Sequence, residues 1–466
     1  MRTDPTGRSQ EARAVSQIHT QTAAGDEDAT DDRLPLTGVR VLELGNYIAA
    51  PTAGRMLADF GADVLKVERP RTGDELRGWR LHSGSTSLLY RTINRNKRSV
   101  VLDLRSEDGR EAVLALVRDA DIVLENFRPG TLERWGLGPD VLESVNPDLV
   151  LVRVSAFGQT GPLSSRPGFA AVAEAHSGFR ELVGDPDRPP VRVGVSIGDS
   201  IAGMQAAFGA VMMLFARERA GGGSRIPLAG RTVDVALHEA MFSVMESLVP
   251  DHSATGVLRT RTGGRTEGIA PSNAYTCAGG ESVVIAGNGD GIFTRYMEVI
   301  GRPDLGARAD LQDNAGRWAA RDELDAAIGE WTGAHPLAHV LERLEEAGLP
   351  AGPIHNAADL IADPQLRARN MIQEFDVADG GGPDARVLED VAFPGITPVL
   401  GDTGLPVRWL GPDLGADTAD ALTEAGLAPG LIERLLIAGG REAETDAGLE
   451  AASAAGSEET TDEEQA

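Results

Sequence analysis

One carboxylate stands where a carboxylate can do chemistry. The segment Val195-Ser196-Ile197-Gly198-Asp199-Ser200-Ile201-Ala202-Gly203-Met204 leads into Ile201, Met204, Phe208, Met212 and Phe215 at helical spacing. Asp199 therefore falls at a helix start, where unserved backbone N–H groups and the positive end of the helix dipole converge. Two uses stay open from these residues alone. One is an N-cap that satisfies the N–H groups. The other is a nucleophile that those groups keep ionised.

Rival chemistries lack their motifs. The first strand–helix turn, Leu44-Gly45-Asn46-Tyr47-Ile48-Ala49-Ala50-Pro51, has no G-x-G-x-x-G, and no G-x-x-x-x-G-K-[ST] occurs. Gly287–Gly291 holds three glycines at the wrong spacing for a dinucleotide. His335 and His339 are four apart, but Pro336 lies between them and no glutamate follows His335, so the metalloprotease pattern is missing. The single cysteine, Cys277, makes no intrachain disulfide and no metal cluster. The expectation is a cytoplasmic protein with no bound metal and no permanently bound cofactor.

The 466 residues carry a net charge of −27, and 41% are apolar. Length allows two or three domains. Residues 1–33 are polar with no apolar segment of a secretory signal, and 441–466 are rich in Ala, Glu, Thr and Ser. Both ends are expected to be disordered. The body between them is still acidic, which argues against nucleic acid or an anionic membrane as partner. The apolar run near Ala206–Ala216 is about half the length of a membrane-spanning helix.

The elements that must position Asp199 alternate. Strands are expected over Val39–Leu44, Ala62–Glu68, Ser99–Leu104, Asp121–Glu125, Leu149–Ala156 and Thr232–Ala236. Helices are expected over Pro51–Phe60, Glu107–Ala120, Gly198–Ala220 and Ala236–Leu248. Strand–helix–strand at this spacing means a parallel sheet with crossover helices. Gly221-Gly222-Gly223-Ser224 separates the helix over Gly198–Ala220 from the strand over Thr232–Ala236. Residues 34–262 form the first part of a large domain, 263–351 a smaller domain, and 352–440 a return to the large one.

Ligands of open α/β sheets bind beyond the carboxyl ends of the strands. Arg69, Arg105, Arg128 and Arg134 lie near such ends, and Asn96-Lys97-Arg98 flanks the third strand. Each alone is ordinary surface charge. Together, in an acidic chain, they suit a ligand with phosphates and a flat base.

These segments also resemble a family. Leu36-Thr37-Gly38-Val39-Arg40-Val41-Leu42-Glu43-Leu44, Gly61-Ala62-Asp63-Val64-Leu65-Lys66-Val67-Glu68, Asn96-Lys97-Arg98-Ser99, Glu125-Asn126-Phe127-Arg128-Pro129-Gly130, Gly158-Gln159-Thr160-Gly161-Pro162 and Gly198-Asp199-Ser200 occur in family order. The set resembles class III CoA-transferases of the CaiB/BaiF type, formyl-CoA transferase among them, from about Leu36 to about Leu427. The resemblance implies an α/β fold: a Rossmann-like large domain built from both chain ends, a smaller α+β middle domain, and two chains interlocked as a homodimer. It makes Asp199 the catalytic aspartate. It also implies CoA contacts at Arg69, Leu102, Arg105, Asn126, Phe127 and Arg134, with a further contact in the Pro167-Gly168-Phe169-Ala170 turn, assigned to Phe169. Many relatives have an acidic residue where this chain has Ala170. Contacts near Ile48 and Ala49 vary within the family.

The implied reaction moves CoA from an acyl-CoA donor to a carboxylic acid, through acyl–aspartyl anhydride and aspartyl-CoA intermediates. CoA thioesters are then substrates, and either Gly263–Gly268 or Gly287–Gly291 is a lid or a plain turn. Three alternatives remain. Related racemases pair such an aspartate with a histidine that falls at Phe169, and phenylalanine cannot exchange an α-proton; Glu174 and His176 are near in sequence only. A CoA-binding protein without turnover is the second. A scaffold acting through its acidic tails is the third.

Overall fold

The computed structural model describes residues 34–440 apart from 85, 221–226, 380–385 and 402–403. The terminal segments expected to be disordered and the segment 221–224 lie outside the described residues. The chain divides into two compact units. Among the described residues one comprises 34–169, Gly198–Ala240 and 373–440; the other comprises Ala170–Ile197 and Met241–Ile372.

The first unit is built on six parallel strands: β1 (Arg40–Glu43), β2 (Asp63–Glu68), β3 (Arg98–Val101), β4 (Ile122–Glu125), β5 (Val150–Ser155) and β6 (Thr232–Ala236). Their order is β3-β2-β1-β4-β5-β6. This is the doubly wound order of dinucleotide-binding sheets, and it reverses between β1 and β4. Val150, Leu151, Val152 and Val154 are fully buried, as a strand covered on both faces requires. The free edge of β3 is covered by the returning chain: Asp417 accepts from the Ser99 N–H at 2.7 Å, and Thr418 from the Val101 N–H at 3.1 Å.

Helix α1 (Ala49–Asp59) follows β1, and α2 (Glu107–Val117) follows β3. Ser106 caps α2 by accepting from the Gly109 N–H at 2.9 Å, and Glu107 and Asp108 complement its dipole.

Helix α3 (Ile197–Arg219) packs through its small residues and not through the large apolar residues that mark its helical spacing. The packed stripe is Gly198, Ala202, Gly203, Ala206, Ala207, Gly209, Ala210 and Leu214. The large residues Met204, Phe208, Met212 and Phe215 are exposed instead. The cause is close approach. A Cβ at Gly203 would lie 2.6 Å from the Ala49 carbonyl of α1, and one at Gly209 would lie 2.5 Å from Val233 of β6. Only small residues fit. At 23 residues α3 is also long and apolar enough to cross a bilayer, beyond what the short apolar run suggests; its small-residue face packs against α1 and the sheet.

The second unit has an antiparallel sheet of β7 (Ser272–Thr276), β8 (Ser282–Ala286) and β9 (Ala351–Pro353), with β8 in the centre. Phe293, Tyr296, Met297, Leu324, Ile328, Val340 and Leu344 form its core with Val283 and Ile285. The helix expected over Ala236–Leu248 is instead two pieces, Leu237–Phe242 and Leu248–Thr255. Glu246 between them has φ 52°, a left-handed conformation that stops a right-handed helix.

Candidate active site

The crevice at a strand-order reversal is where α/β sheets bind ligands, and here one side chain bridges it. Asn126, just after β4, donates to the Asn46 carbonyl at 2.7 Å and accepts from the Asn46 N–H at 2.8 Å. Gly45 makes the turn possible, since a Cβ there would sit 2.5 Å from Ala50 and 3.0 Å from Asn126. Tyr47 follows with φ 64° and donates its N–H to Asp74 at 3.1 Å.

Beyond the ends of β1 to β4 lies a cavity of about 310 Å³. Of the expected CoA contacts, Arg69, Leu102, Arg105 and Phe127 line it, together with Asn46 and Trp135. Leu102 is a buried floor. Phe127 packs edge-on to Trp135 with centroids 5.0 Å apart. Arg69 is half-exposed and paired with Glu75 at 2.8 Å, while Arg105 is mostly exposed and paired with Asp103 at 3.3 Å. Both can turn to an anionic ligand at little cost. Asn126 sits at the rim through Asn46. Arg134, bonded to Thr131 Oγ1 at 2.8 Å, and exposed Arg128 are not among the lining residues.

A buried chain supports this wall. Glu125 accepts from the Phe127 N–H at 2.6 Å and from Arg153 at 2.6 Å; Arg153 also pairs with Glu133 at 2.9 Å, in the turn of helix carrying Arg134. Burial pushes the Glu125 carboxyl up to about 7 in spite of Arg153.

The Asn96-Lys97-Arg98 group is not part of a ligand surface. Asn96 donates to Asp59 at 2.8 Å, and Arg98 is paired with Glu424 at 2.9 Å and Asp63 at 3.4 Å. Lys97 is fully buried against Glu43. These residues lie at the amino end of β3, opposite the crevice end of that strand.

Asp199 is the third residue of α3, so it lies within the first turn rather than at the cap, and it is half-buried. It is four residues before Gly203, hence on the same helix face that meets Ala49 and Thr52 of α1. The first amides of α1 have no helix carbonyl to serve them, because Ala49 and Ala50 open that helix.

Phe169 is 68% exposed and stands edge-on to Tyr47 at 5.9 Å, with Trp79 on Tyr47 at 5.6 Å. Gly168 holds it there, since a Cβ at Gly168 would be 2.7 Å from that of Ala156. Phe169 thus joins an aromatic group at the β1 turn rather than the cavity wall. Glu174 is buried and paired with Arg180 at 2.8 Å. Gly287 packs on Tyr296, where a Cβ would lie 2.4 Å from the ring. Among the described residues no group of three or more His, Cys, Asp or Glu is arranged to hold a metal.

Sequence reading overlooks two things. Gly194-Val195-Ser196-Ile197-Gly198 has the G-x-S-x-G spacing of a hydrolase elbow, but no strand leads into it, so the required strand–turn–helix is missing. It also misses a buried ionic cluster. Lys66 Nζ meets Glu43 at 3.1 Å, Asp74 at 2.8 Å and the Gly45 carbonyl at 2.7 Å. Lys97 Nζ meets Glu43 at 2.7 Å, Asn94 at 2.8 Å and the Pro51 carbonyl at 2.8 Å. Glu68 joins Arg77 at 2.7 Å, Tyr90 at 2.8 Å and Ser99 at 2.6 Å. The available signal was charge inside otherwise apolar strands, at Glu43, Lys66 and Glu68.

The crevice is floored by leucine, walled by aromatics and rimmed by partly exposed arginines, features that suit a ligand with phosphates and a flat base. CoA-transferase family III matches residues 36–418, and the chain belongs to that family. It is a CoA-transferase whose substrates are CoA thioesters. It is 42% identical over 392 residues to the succinyl-CoA–D-citramalate CoA-transferase of Chloroflexus aurantiacus, covering 84% of this chain and 94% of that protein. It is 37% identical to the succinyl-CoA–L-malate CoA-transferase beta subunit of the same organism, over 85% of this chain and 95% of the relative. A crystal structure of a CaiB/BaiF family protein from Brucella suis superposes with TM-score 0.72 at 32% identity, covering 84% of this chain and 99% of the other.

Proposed function

We propose that this enzyme moves CoA from succinyl-CoA to a hydroxy-dicarboxylic acid, with Asp199 as the covalent carrier. The Asp199 carboxylate attacks the succinyl carbonyl, forming an anhydride and releasing CoA thiolate. The thiolate attacks the Asp199 carbonyl, giving an aspartyl-CoA thioester and free succinate. The acceptor carboxylate attacks that thioester and expels the thiolate, leaving an acceptor–aspartyl anhydride. The thiolate then takes the acceptor acyl group and restores the Asp199 carboxylate. No net proton is exchanged, and each step has a good leaving group.

The observation that carries this reading is Asp199 in the first turn of α3, one turn before the Gly203–Ala49 approach. Helix-start N–H groups favour the anionic form there and can hold developing charge. The CoA nucleotide would lie along Arg69, Leu102, Arg105, Asn126, Phe127 and Arg134. The donor and acceptor class is suggested by the relatives, whose named acceptors are D-citramalate and L-malate. Phe169, with no titratable group, is consistent with transfer rather than racemisation.

We also infer a homodimer. Phe208 is 66% and Phe215 62% exposed on one apolar face of α3, and a second copy is the occupant that the family resemblance implies.

The test is mass spectrometry of enzyme mixed with succinyl-CoA. A CoA adduct on the peptide containing Asp199 is expected. Asp199→Ala should lose both adduct and transfer while still binding CoA. Near-normal turnover by that variant would overturn the assignment. Deuterium wash-in at the α-carbon of a branched acyl-CoA, with no acceptor present, would establish the racemase instead.

A further inference from the structure

Three elements meet at the carboxyl end of β1: the Gly45–Tyr47 turn, the first turn of α1, and, through Gly203, the helix of Asp199. The first two are tied from below by charges that the transfer chemistry does not use. Lys66 holds the Gly45 carbonyl at 2.7 Å, and Asp74, its partner, holds the Tyr47 N–H at 3.1 Å. Lys97 holds the Pro51 carbonyl in the first turn of α1 at 2.8 Å. Glu43 spends one oxygen on each lysine. All four charged side chains are essentially inaccessible to solvent. Gly54 of α1 exists to admit them, since a Cβ there would lie 1.8 Å from Glu43 Oε2.

We propose that Glu43, Lys66 and Lys97 are positioning residues for the carboxylate transfer step, holding the turn and the start of α1 in register with Asp199. The proposal rests on Asp199 being the nucleophile. The mechanical link is the approach of Gly203 to the Ala49 carbonyl, a contact that leaves no slack between α1 and α3. Misplacing a reacting group by about 1 Å costs on the order of 100-fold in rate, and Lys97, which holds the start of α1 and not the Asn46 turn that lines the cavity, acts on that step with least effect on CoA binding.

The cluster also carries a titration. Lys97 makes three hydrogen bonds with its three N–H groups, so losing one proton leaves an acceptor unserved. The groups facing Lys97 are Glu43 on β1, Lys66 on β2 and Asp74 before the Glu75–Gly78 turn. Asp59 on α1 is taken by Arg95 and Asn96. Burial pulls Lys97 down to about 8; Glu43 opposes this and Lys66 adds to it. Lys66 stays charged, raised by Asp74 and Glu43 against its burial. The positioning should therefore weaken as pH rises through about 8, at Lys97.

The experiment follows the half-reaction, release of succinate from succinyl-CoA and the intact enzyme, from pH 6.5 to 9.5, with circular dichroism at each pH. The wild type should lose maximal rate above about pH 8, with fold and half-saturating succinyl-CoA unchanged. Glu43→Gln removes the carboxylate that supports the Lys97 charge, so the fall should move to lower pH, with a maximal rate about 10 to 100-fold reduced. Lys97→Met should be slow and flat with pH. Lys97→Arg, which cannot deprotonate, should be flat and faster than Lys97→Met. A wild-type rate flat to pH 9.5, needing no variant at all, overturns the proposal. So does a fall that persists in Lys97→Met, or variants that alter half-saturation and not rate. If succinate is released and no adduct forms on Asp199, it is the nucleophile assignment that fails.

Discussion

Asn126 and Asn46 exchange two hydrogen bonds across the point where the sheet reverses its strand order. Eighty residues apart in sequence, they lock the end of β4 to the turn after β1. The cavity beyond β1 to β4 is therefore shaped by backbone that one side chain holds.

Asn126→Ala should weaken CoA binding by about tenfold, because two hydrogen bonds of roughly 0.5–1.5 kcal/mol each are lost at the rim. Asn126→Asp should be no better, since it sets a carboxylate oxygen against the Asn46 carbonyl. Isothermal titration with CoA measures both, and unchanged affinity would remove Asn126 from the site.

Gly203→Val should destabilise the fold by about 1–3 kcal/mol through overpacking against Ala49 and Thr52, and should also slow the half-reaction. Gly209→Val collides with Val233 instead, farther along α3 from Asp199. It should cost similar stability with a smaller loss of rate. Melting curves and succinate release compare the two.

Acid should weaken the fold through Glu68. Its carboxyl is pushed up by burial, yet Arg77, Lys66 and Ser99 bring it down to about 2 from 4.5. The folded value lies below the unfolded one, so the stabilisation is full above pH 4.5 and fades as pH falls toward 2. A shift of this size is worth about 3 kcal/mol. In urea titrations, the wild-type advantage over Glu68→Gln should shrink across that window. A constant advantage would exclude the linkage.

Phe208→Glu should disturb the inferred dimer, because it puts a charge in the apolar face of α3. Light scattering should show two chains per particle for the wild type and fewer for the variant. A wild type that is monomeric at micromolar concentration would end the dimer reading; recovery only with a different subunit would point to a hetero-oligomer like those of the malate relatives.

Local sequence determined the alternation of strand and helix and the carboxylate at the start of α3. Those follow from period, propensity and motif, which act over a few residues. The motif order also sufficed to name the family. Tertiary structure decided which face of α3 packs, because the deciding contacts come from Ala49 and Val233 on other elements. It decided too that Lys97 is a buried support rather than a ligand cation: its partner Glu43 is 54 residues away, and only the sheet order brings them together. Charge in a sequence has no location. Burial and pairing, which set whether a lysine binds phosphate or props up a turn, exist only once the chain has closed.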